Sequence, residues 1–398
     1  MRESYLIFGQ PLIEEAEIEE VVKSLRAGWL GTGPKVAAFE KLVAEYKGVK
    51  HAIAVNSCTA GLHLSCLALG LKPGDEVIVP AMTFCATVNA VIHAGATPVL
   101  ADVEPGTFNM DSKEVGRKIT RRTRAIMPVH FAGRACNMDA LLPLARDHDL
   151  RVIEDCAHAI ETEYHGRRAG TMGDCGVLSF YSTKNIVTGE GGMVLTDNAA
   201  IAARIRTLAL HGMSEDAWKR FSDDGYKHYD VVEVGFKYNM MDLQAAIGMH
   251  QITRVERYWQ RRYQIWNSYN EAFADLPVQL PAPLEVRSRH ALHLYTILIE
   301  EERGPVTRDT FILELHRRNI GTGVHYRSIP MHPVYQRRFK WKPEDYPISH
   351  EVGRRTVSLP LSAKLTEADV QDVIATVREV LGRGSLGWEA NHARVAFD

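Results

Sequence analysis

The 398-residue chain has no surplus of either charge. It contains 47 lysine and arginine residues against 49 aspartate and glutamate residues, so the formal net charge is −2 at pH 7. Proteins that bind nucleic acids or anionic membranes usually carry a basic excess. The charge balance therefore argues against both kinds of partner, although it leaves room for a local basic pocket around a phosphorylated ligand.

Cysteine is scarce, and its spacing forms no motif. The six cysteines include no Cys-x-x-Cys pair, so the sequence offers no zinc site and no redox-active disulfide, and we expect no bound metal. Small buried thiols in a reducing cytosol are the expected state of these residues. The N-terminus also lacks the basic and then apolar pattern of a secretory signal. Together these absences predict a cytoplasmic protein.

The sequence lacks a continuous apolar stretch long enough to predict a membrane span. Residues 77–101 contain no Asp, Glu, Lys or Arg, but Pro80, Asn89, Gly95 and Pro98 interrupt them. An interrupted run of this kind predicts a strand, a helix and a strand buried in a protein core.

A Walker A loop is absent, and the Gly-x-Gly-x-x-Gly match stands in the wrong context. The match, Gly382–Gly387, follows a helical pattern near the chain end, whereas a dinucleotide-binding loop follows a strand. We therefore assign no dinucleotide to it. The tail after Gly382 is expected to be poorly ordered or dependent on a partner.

Short apolar runs alternate with helical patterns between residues 51 and about 200. This alternation predicts an α/β fold with a mostly parallel sheet covered on both faces. Ligands of such sheets bind beyond the carboxyl ends of the strands. The predicted strands are His51–Val55, Val77–Val79, Pro98–Ala101, Arg124–Val129, Arg151–Glu154, Val177–Phe180 and Met193–Leu195, and the predicted helices are Thr59–Leu69, Cys85–His93 and Met138–Asp147.

A second, smaller α+β unit is predicted in the C-terminal part. From Asp242 to about Phe273 the helical pattern predicts one bridging helix of roughly 48 Å, at ~1.5 Å per residue. Prolines at 277, 281 and 283 then mark a boundary. We expect a large cofactor-binding domain at 1–250 and a small domain at 251–398, with a strand at His293–Ile299 and helices at Arg308–Arg318 and Glu367–Leu381.

The most informative motif surrounds a lysine that follows a predicted strand. Residues 179–185 read Ser-Phe-Tyr-Ser-Thr-Lys-Asn, and the glycine-rich turn Gly189–Gly192 comes next. Lys184 lies where ligands collect in this fold class, and Ser179 or Ser182 can bind a phosphate beside it. A desolvated lysine has a lowered pKa and becomes a nucleophile toward an aldehyde. Pyridoxal phosphate contains both that aldehyde and that phosphate.

Other strand ends supply further groups that this cofactor needs. Asp155 ends an apolar strand and can keep the pyridine nitrogen protonated, and His158 is close enough to reach the same ligand edge. Asn56–Gly61 lies between a strand and a helix and predicts a helix N-terminus that binds the phosphate. Thr59 is expected to cap that helix and to donate its hydroxyl. Phe84 follows another strand and can stack on a planar ring.

This ordered set of motifs resembles the DegT/StrS family of sugar aminotransferases, which are fold type I pyridoxal-phosphate enzymes. The resemblance implies a seven-stranded, mostly parallel sheet between helices plus the smaller C-terminal α+β domain. It spans nearly the whole chain and rests on Gly31–Pro34, Pro128–Gly133, Glu154–His158, the Lys184 segment, Gly235–Met240, Leu243–Ala246, Gly321–Tyr326 and Ser358–Leu361.

The resemblance assigns roles around the cofactor ring position by position. It implies that Lys184 is the catalytic lysine that bonds to the cofactor and then shuttles the proton. Asp155 corresponds to the partner of the ring nitrogen. His158 matches the Gln or His on the ring-hydroxyl side, and Phe84 matches the stacking aromatic residue.

The resemblance also assigns a phosphate cradle and a shared site. Cys58 through its backbone, Thr59 and Ser179 match the phosphate-binding residues. Asn239 matches an Asn that the neighbouring subunit contributes, which implies a homodimer with active sites shared across subunits.

A segment of the small domain is expected to bind the substrates. His325, Tyr326 and Arg327, on a predicted strand, are the candidates for the donor carboxylate or the substrate phosphates. An arginine suits such anions because it binds them through two parallel hydrogen bonds.

Details of the motifs resemble the UDP-4-keto-sugar branch of the family, such as the enzyme that forms aminoarabinose in lipid A modification. Lys237-Tyr-Asn239 stands where many relatives have Asn-x-Arg. Phe84 replaces the Trp of that enzyme, and Cys58 and Cys156 replace two alanines. The branch implies transfer of an amino group from an amino acid, with L-glutamate as the expected donor, to a nucleotide-linked keto sugar in amino sugar or lipopolysaccharide biosynthesis.

Three alternatives remain open. A keto-cyclitol aminotransferase or an aminohydroxybenzoate-type synthase would keep the fold and the cofactor but change the substrate. The family's dehydratase branch has histidine in place of the lysine, so Lys184 argues against it. A regulatory protein without activity is disfavoured by the intact lysine, acid and phosphate cradle.

Overall fold

A seven-stranded mixed sheet forms the centre of the N-terminal part of the chain. The computed structural model describes residues 2–214 and 230–382, so the predicted tail and most of the Gly382–Gly387 motif lie outside the described residues. The described strands are β1 (His51–Val55), β2 (Glu76–Pro80), β3 (Thr97–Ala101), β4 (Thr123–Ile126), β5 (Arg151–Cys156), β6 (Glu163–Tyr164), β7 (Arg167–Arg168), β8 (Cys175–Ser179), β9 (Gly192–Thr196), β10 (Val278–Gln279), β11 (Ser288–Arg289), β12 (Tyr295–Ile299) and β13 (Thr356–Leu359).

Helices precede, separate and follow these strands. The described α-helices are α1 (Glu15–Ala27), α2 (Pro34–Lys47), α3 (Cys58–Ala68), α4 (Cys85–His93), α5 (Ser112–Lys118), α6 (Met138–Asp147), α7 (Ala199–Ala209), α8 (Asp242–Thr253), α9 (Val255–Phe273), α10 (Arg308–Arg317), α11 (Pro333–Phe339), α12 (Pro347–Arg355) and α13 (Glu367–Leu381).

The predicted mostly parallel sheet is confirmed. Its strand order is β1-β9-β8-β5-β4-β2-β3. The five strands from β8 to β3 in this order are parallel to their neighbours, whereas β9 is antiparallel to both β8 and β1. The carboxyl ends of the parallel strands consequently meet at one edge of the sheet, where the polar residues after β5 and β8 come together.

The sheet is buried on both faces because its strands are continuously apolar. In β2, Val77 and Val79 join one core cluster while Ile78 joins another. Neighbouring strand residues point to opposite faces, so these two clusters are the two helix-covered layers.

A separate core fills the C-terminal α+β unit. Its sheet has the order β10-β12-β13, and its core includes Trp266 and Tyr269 of α9 together with Val373 and Val377 of α13. Leu6, near the N-terminus, packs into the same core. The boundary at residue 250 stays a prediction.

The predicted single helix from Asp242 to Phe273 is wrong, because the segment forms the two helices α8 and α9. Arg254 separates them with φ −108° and ψ 1°. Its amide bonds to Gln251 O at 3.1 Å, one residue nearer than in a regular α-helix. Its guanidinium lies 2.5 Å from Glu17 of α1. The break therefore coincides with a contact to a distant helix, which the local sequence pattern does not show.

Among residues 2–214 and 230–382, every helix is too short or too polar to span a bilayer.

Candidate active site

A cavity of about 470 Å³ lies at the carboxyl edge of the parallel strands. It collects seven of the eight residues predicted to bind the cofactor and two of the three predicted to bind substrate. These nine lining residues are Cys58, Thr59, Phe84, Asp155, His158, Ser179, Lys184, His325 and Tyr326. Residues far apart in sequence therefore converge on one site.

Lys184 lies in the loop after β8, in a turn closed by its own amide and Tyr181 O at 2.9 Å. Burial lowers the pKa of its amine to about 8, and the neighbouring Cys58 and Asp155 oppose that shift only in part. Within the described residues its side chain has no hydrogen-bond partner. The neutral amine, which can act as a nucleophile or base, is consequently far more populated near neutral pH than for a lysine with the ordinary pKa of 10.5.

Asp155, at the end of β5, is held by hydrogen bonds on both carboxylate oxygens. Thr87 of α4 donates its hydroxyl to Oδ2 at 2.8 Å, and the amide of Ala157 donates to Oδ1 at 3.1 Å. Thr83 lies 2.8 Å from the Thr87 hydroxyl. Burial raises the pKa of the Asp155 carboxyl, while these donors and Lys184 act in the opposite direction.

Sequence reasoning missed Thr83 and Thr87, although both line the cavity. The available signal was their spacing of four residues across the start of a helix, which places two hydroxyls on one helix face.

The N-terminus of α3 opens into the same cavity. The prediction that Thr59 caps this helix is wrong: Ser57 is the N-cap, and its hydroxyl accepts from the amide of Ala60 at 3.1 Å. Thr59 lies in the first turn of α3, and its hydroxyl does not take part in the capping hydrogen bond. The amides of Cys58 and Thr59 are at the helix end where N–H groups lack intrahelical partners.

Glycine at 192 lets β9 approach this helix end closely. A Cβ atom there would lie 2.6 Å from both Cys58 N and Ser57 O. Burial raises the pKa of the Cys58 thiol well above its usual value, so the thiol stays protonated near neutral pH.

His158 contacts the backbone on one side and a tyrosine on the other. Its Nδ1 accepts from the amide of Ala132 at 3.2 Å, and its Nε2 lies 2.9 Å from the Tyr326 hydroxyl. Burial holds the pKa of His158 well below its usual range. The Phe84 ring is 56% exposed, toward the cavity, and its centroid is 5.7 Å from that of Tyr326.

The prediction that residues 325–327 form a strand is wrong. Gly323 pairs with Ser358 of β13 in an isolated bridge, and the following residues continue as a loop into the cavity. His325 Nδ1 lies 2.9 Å from Ser358 Oγ, and burial lowers the pKa of His325 to about 3. Arg327 is exposed and does not line the cavity.

Asn239 is the predicted cofactor residue that the structure keeps apart from the others. It lines a second cavity of about 450 Å³ together with Thr32 and Arg206. Its Nδ2 donates to Thr32 Oγ1 at 2.6 Å, while its buried Oδ1 has no hydrogen-bond partner in the described part of the chain. Asn239 does not cap the following helix, because the N-cap position of α8 is occupied by Met241.

In the described part of the chain, the ligand atoms of three potential metal ligands, His130, Glu154 and Cys156, lie within 4.8 Å of one another. The Glu154 carboxylate already accepts from His130 and from three backbone amides, those of Gly170, Met172 and Gly173. This saturated arrangement is that of a structural polar core rather than of an open metal site.

Comparison with known proteins now gives the context of this geometry. Residues 11–378 match the DegT/DnrJ/EryC1/StrS aminotransferase family. The chain belongs to this family.

The chain is also similar to individual proteins over nearly their full length. The chain is 48% identical to the protein MJ1066 of Methanocaldococcus jannaschii, over 96% of this chain and 99% of that protein. It is 46% identical to the spore coat polysaccharide biosynthesis protein SpsC of Bacillus subtilis, over 96% of this chain and 98% of that protein. The sugar aminotransferase Spr1654 of Streptococcus pneumoniae in its PMP form superposes with a TM-score of 0.88, at 32% identity over 94% and 98% of the chains.

Family membership and these likenesses confirm the predicted fold type I architecture and identify a sugar aminotransferase that uses pyridoxal phosphate. The cavity fits this cofactor on three independent counts. It contains the unpaired amine of Lys184, a buried carboxylate at Asp155 and the open N-terminus of α3. An aldehyde, a ring nitrogen and a phosphate require these groups.

Proposed function

We propose that this aminotransferase moves an amino group from L-glutamate to a nucleotide-linked keto sugar, with a UDP-4-keto sugar as the substrate. The observation that carries the proposal is the convergence of Lys184, Asp155 and the N-terminus of α3 in one cavity. Similarity to a polysaccharide biosynthesis protein supports an activated sugar as the acceptor. The product would then enter lipopolysaccharide or a related surface polysaccharide.

In this proposal the chain holds the cofactor from three sides. Thr59, Ser179 and the backbone of Cys58 bind the phosphate, where the helix end favours negative charge. Asp155 faces the ring nitrogen, with Thr87 fixing the carboxylate by its 2.8 Å hydrogen bond. Phe84 offers its exposed ring for stacking.

His158 occupies the ring-hydroxyl side in the same proposal. His325 and Tyr326 are the groups closest to the substrates. Arg327 is proposed only for the outer, exposed part of the substrate, because it lies away from the cavity lining.

Lys184 is proposed to move the proton. When bound, pyridoxal phosphate supplies an electron sink for the reacting carbon and carries the amino group between the two substrates. The Nζ of Lys184 takes a proton from one carbon and returns it to another, in each half of the reaction. The lowered pKa of about 8 suits an amine that must both accept and release a proton near neutral pH.

The active unit is proposed to be a cytoplasmic homodimer. Asn239 lies outside its own chain's cavity and carries an unpaired buried Oδ1. Within the described residues, the Nδ2 of Asn239 donates one N–H to Thr32 Oγ1, and its second N–H is the group that would donate to the partner's phosphate, because Oδ1 can only accept. All six cysteines are unpaired, which fits a reducing compartment.

Two measurements test the proposed function. Borohydride reduction of the loaded protein followed by peptide mapping should place the pyridoxyl group on Lys184. Lys184→Ala should lower turnover by roughly 10²–10⁴-fold, the range for loss of a general base. Lys47→Met is the matched control, because Lys47 is also buried with a pKa of about 8 but lies outside the cavity.

The substrate is tested by a panel of UDP-4-keto sugars and keto-cyclitols with L-glutamate, with products read by mass spectrometry. Amination of a nucleotide sugar supports the proposal, and amination of keto-cyclitols alone would replace it with the alternative substrate class. A pyridoxyl label on another lysine would overturn the role of Lys184.

A further inference from the structure

We propose that His158 and Tyr326 form a directed hydrogen-bond donor facing the cavity, and that Asn185 and His293 are the residues that position it. This inference deepens the proposed function, on which its catalytic meaning rests. Its first test uses the cofactor-free protein, so the two can fail separately.

The backbone fixes the tautomer of His158. An amide N–H can only donate, so the 3.2 Å contact from Ala132 N requires an unprotonated Nδ1. The neutral ring therefore carries its proton on Nε2, which lies 2.9 Å from the Tyr326 hydroxyl. The Tyr326 oxygen accepts a hydrogen bond from this N–H. The tyrosine's own O–H is then free to donate to an acceptor in the cavity that Tyr326 lines.

An unusual backbone conformation aims the Ala132 amide. Ala132 has φ 55° and ψ 4°, in the left-handed region that a non-glycine residue seldom occupies. The same residue is held by its carbonyl, which accepts from the amide of His293 at 3.0 Å. Strained backbone of this kind persists where the surrounding contacts determine it and is frequent at functional sites.

His293 fixes the plane of the His158 ring. The two ring centroids are 4.4 Å apart with an interplanar angle of 37°. Nδ1 of His293 lies 2.9 Å from Oδ1 of Asn185, the residue directly after Lys184. The positioning contact therefore connects the lysine loop to His158.

The amide group of Asn185 has only one orientation that satisfies its partners. Its Nδ2 donates to Glu161 Oε2 at 2.7 Å and to Ala291 O at 2.9 Å, and both of these atoms accept. Oδ1 must then face His293, which makes Nδ1 of that ring the protonated nitrogen. Glu161 itself is fully buried and paired with Arg262 of α9, so the chain of contacts ends on a fixed charge pair.

Both histidines stay neutral, as the tautomer argument requires. Burial is the main cause that holds the pKa of His158 and the pKa of His293 well below the usual range, and the charge of Lys184 adds to it. His158 is consequently a hydrogen-bond donor rather than a general acid or base.

The first test reads the tautomers by ¹⁵N NMR of histidine-labelled, cofactor-free protein. Wild type should show His158 protonated only on Nε2 and His293 protonated only on Nδ1. His130 and His290 are internal controls, because each accepts a backbone amide at Nδ1 and lies outside this chain of contacts. Both should remain protonated on Nε2 in every folded variant.

Two substitutions of His293 separate its contributions. His293→Phe keeps a ring against His158 but loses the bond to Asn185 that holds that ring, so it should give a minor fraction of the second His158 tautomer. His293→Asn keeps a donor toward Asn185 but removes the ring, and it should give a mixture of His158 tautomers. A wild-type His158 protonated on Nδ1, or an unchanged His158 in His293→Asn with the controls intact, would overturn the proposal.

The second test asks which ligand atom in the cavity accepts the hydrogen bond from the Tyr326 hydroxyl. If the acceptor belongs to the cofactor, Tyr326→Phe should shift the visible absorption band of the loaded protein. If it belongs to the sugar, KM for the sugar should rise roughly three- to tenfold with an unchanged band, as for one lost hydrogen bond. Neither change would mean that the hydroxyl faces no ligand, against the proposal.

His158→Gln is the conservative rescue. A glutamine can place its Nε2 donor where the histidine Nε2 stands, so this variant should retain the donor to Tyr326, whereas His158→Ala should reproduce the effect of Tyr326→Phe. Equal loss in both variants would point to a packing role for His158 instead of a donor role.

Discussion

Lys184 and Lys47 have the same lowered pKa of about 8, yet their amines have different surroundings. Lys47 is 2% exposed and donates to Ile160 O at 3.0 Å, whereas Lys184 lines the cavity. A depressed pKa alone therefore does not mark the reactive lysine. The open space and the neighbouring acid distinguish it.

Removing the Lys184 charge should stabilise the cofactor-free protein. Between pH 8 and its ordinary pKa of 10.5 the unfolded lysine holds a proton that the folded one has released, so stability rises with pH across this window. Below pH 8 both the folded and the unfolded lysine are protonated, so the full cost of burying the Lys184 charge lowers the stability of the folded protein. Lys184→Met should then be more stable than wild type at pH 7 by on the order of 1–3 kcal/mol. The difference should shrink toward pH 10, as measured by urea unfolding; a difference independent of pH would contradict the assignment.

Asp155 and its threonine donors should give a graded series of activities. Asp155→Asn keeps the shape but removes the charge, and turnover should fall by roughly 10²–10³-fold, as for other electrostatic groups aimed at a reacting centre. Thr87→Val removes one donor to the carboxylate and should lower turnover roughly tenfold. Thr83→Val, which touches Thr87 and not Asp155, is the control with the smallest effect. Steady-state kinetics in which Thr83→Val lowers turnover more than Thr87→Val does would contradict the series.

At the scale of elements, two neighbouring residues at the N-terminus of α3 should have different effects. Ser57 should affect the stability of the protein, and Thr59 should affect ligand binding. Ser57 supplies the cap, so Ser57→Ala should lower the free energy of unfolding of the cofactor-free protein by about 1 kcal/mol. Thr59→Ala should change it by less than about 0.5 kcal/mol but weaken pyridoxal phosphate binding. Urea unfolding and cofactor titration check the pair. Equal destabilisation by both variants would show that the cap is shared.

Elements with a strong local pattern could be predicted from the sequence, and elements fixed by distant contacts could not. β1 has the predicted bounds, and α3 is shifted by one residue. No Gly or Pro marks the break at Arg254 in the sequence. The break instead coincides with ion pairs from Arg254 to Glu14 and Glu17, which are far away in the sequence.

The site shows the same division. Lys184 and Asp155 could be found because they follow apolar strands that a parallel sheet brings to one edge. Thr87 and Asn185 could not, because their importance lies in which side chains they meet across the fold. The family resemblance predicted that Asn239 contacts the phosphate of the neighbouring subunit. Within one chain, Asn239 lines the second cavity and not the one that contains Lys184.

At the scale of the whole molecule, the two cavities raise the question of whether Asn239 of one subunit contributes to the phosphate site of its partner. The first cavity has a lysine, an acid and a helix end, and the second has Asn239 with its unpaired Oδ1 beside Thr32. If Asn239 serves the partner's phosphate site, Lys184→Ala and Asn239→Ala each damage one component of every site in their homodimers. A mixed dimer would then carry both lesions in one site and neither in the other.

Mixing the two variants should therefore restore activity, toward half of the wild-type value per mixed dimer. If Asn239 instead acts only within its own chain, every site of the mixed dimer carries one lesion and mixing restores nothing. Subunit exchange must be confirmed separately by native mass spectrometry, with Lys184→Ala mixed with a second Lys184→Ala sample as the control. Exchange without recovery would show that the sites are not shared, and it would leave the role of Lys184 untouched because that role rests on residues of a single chain.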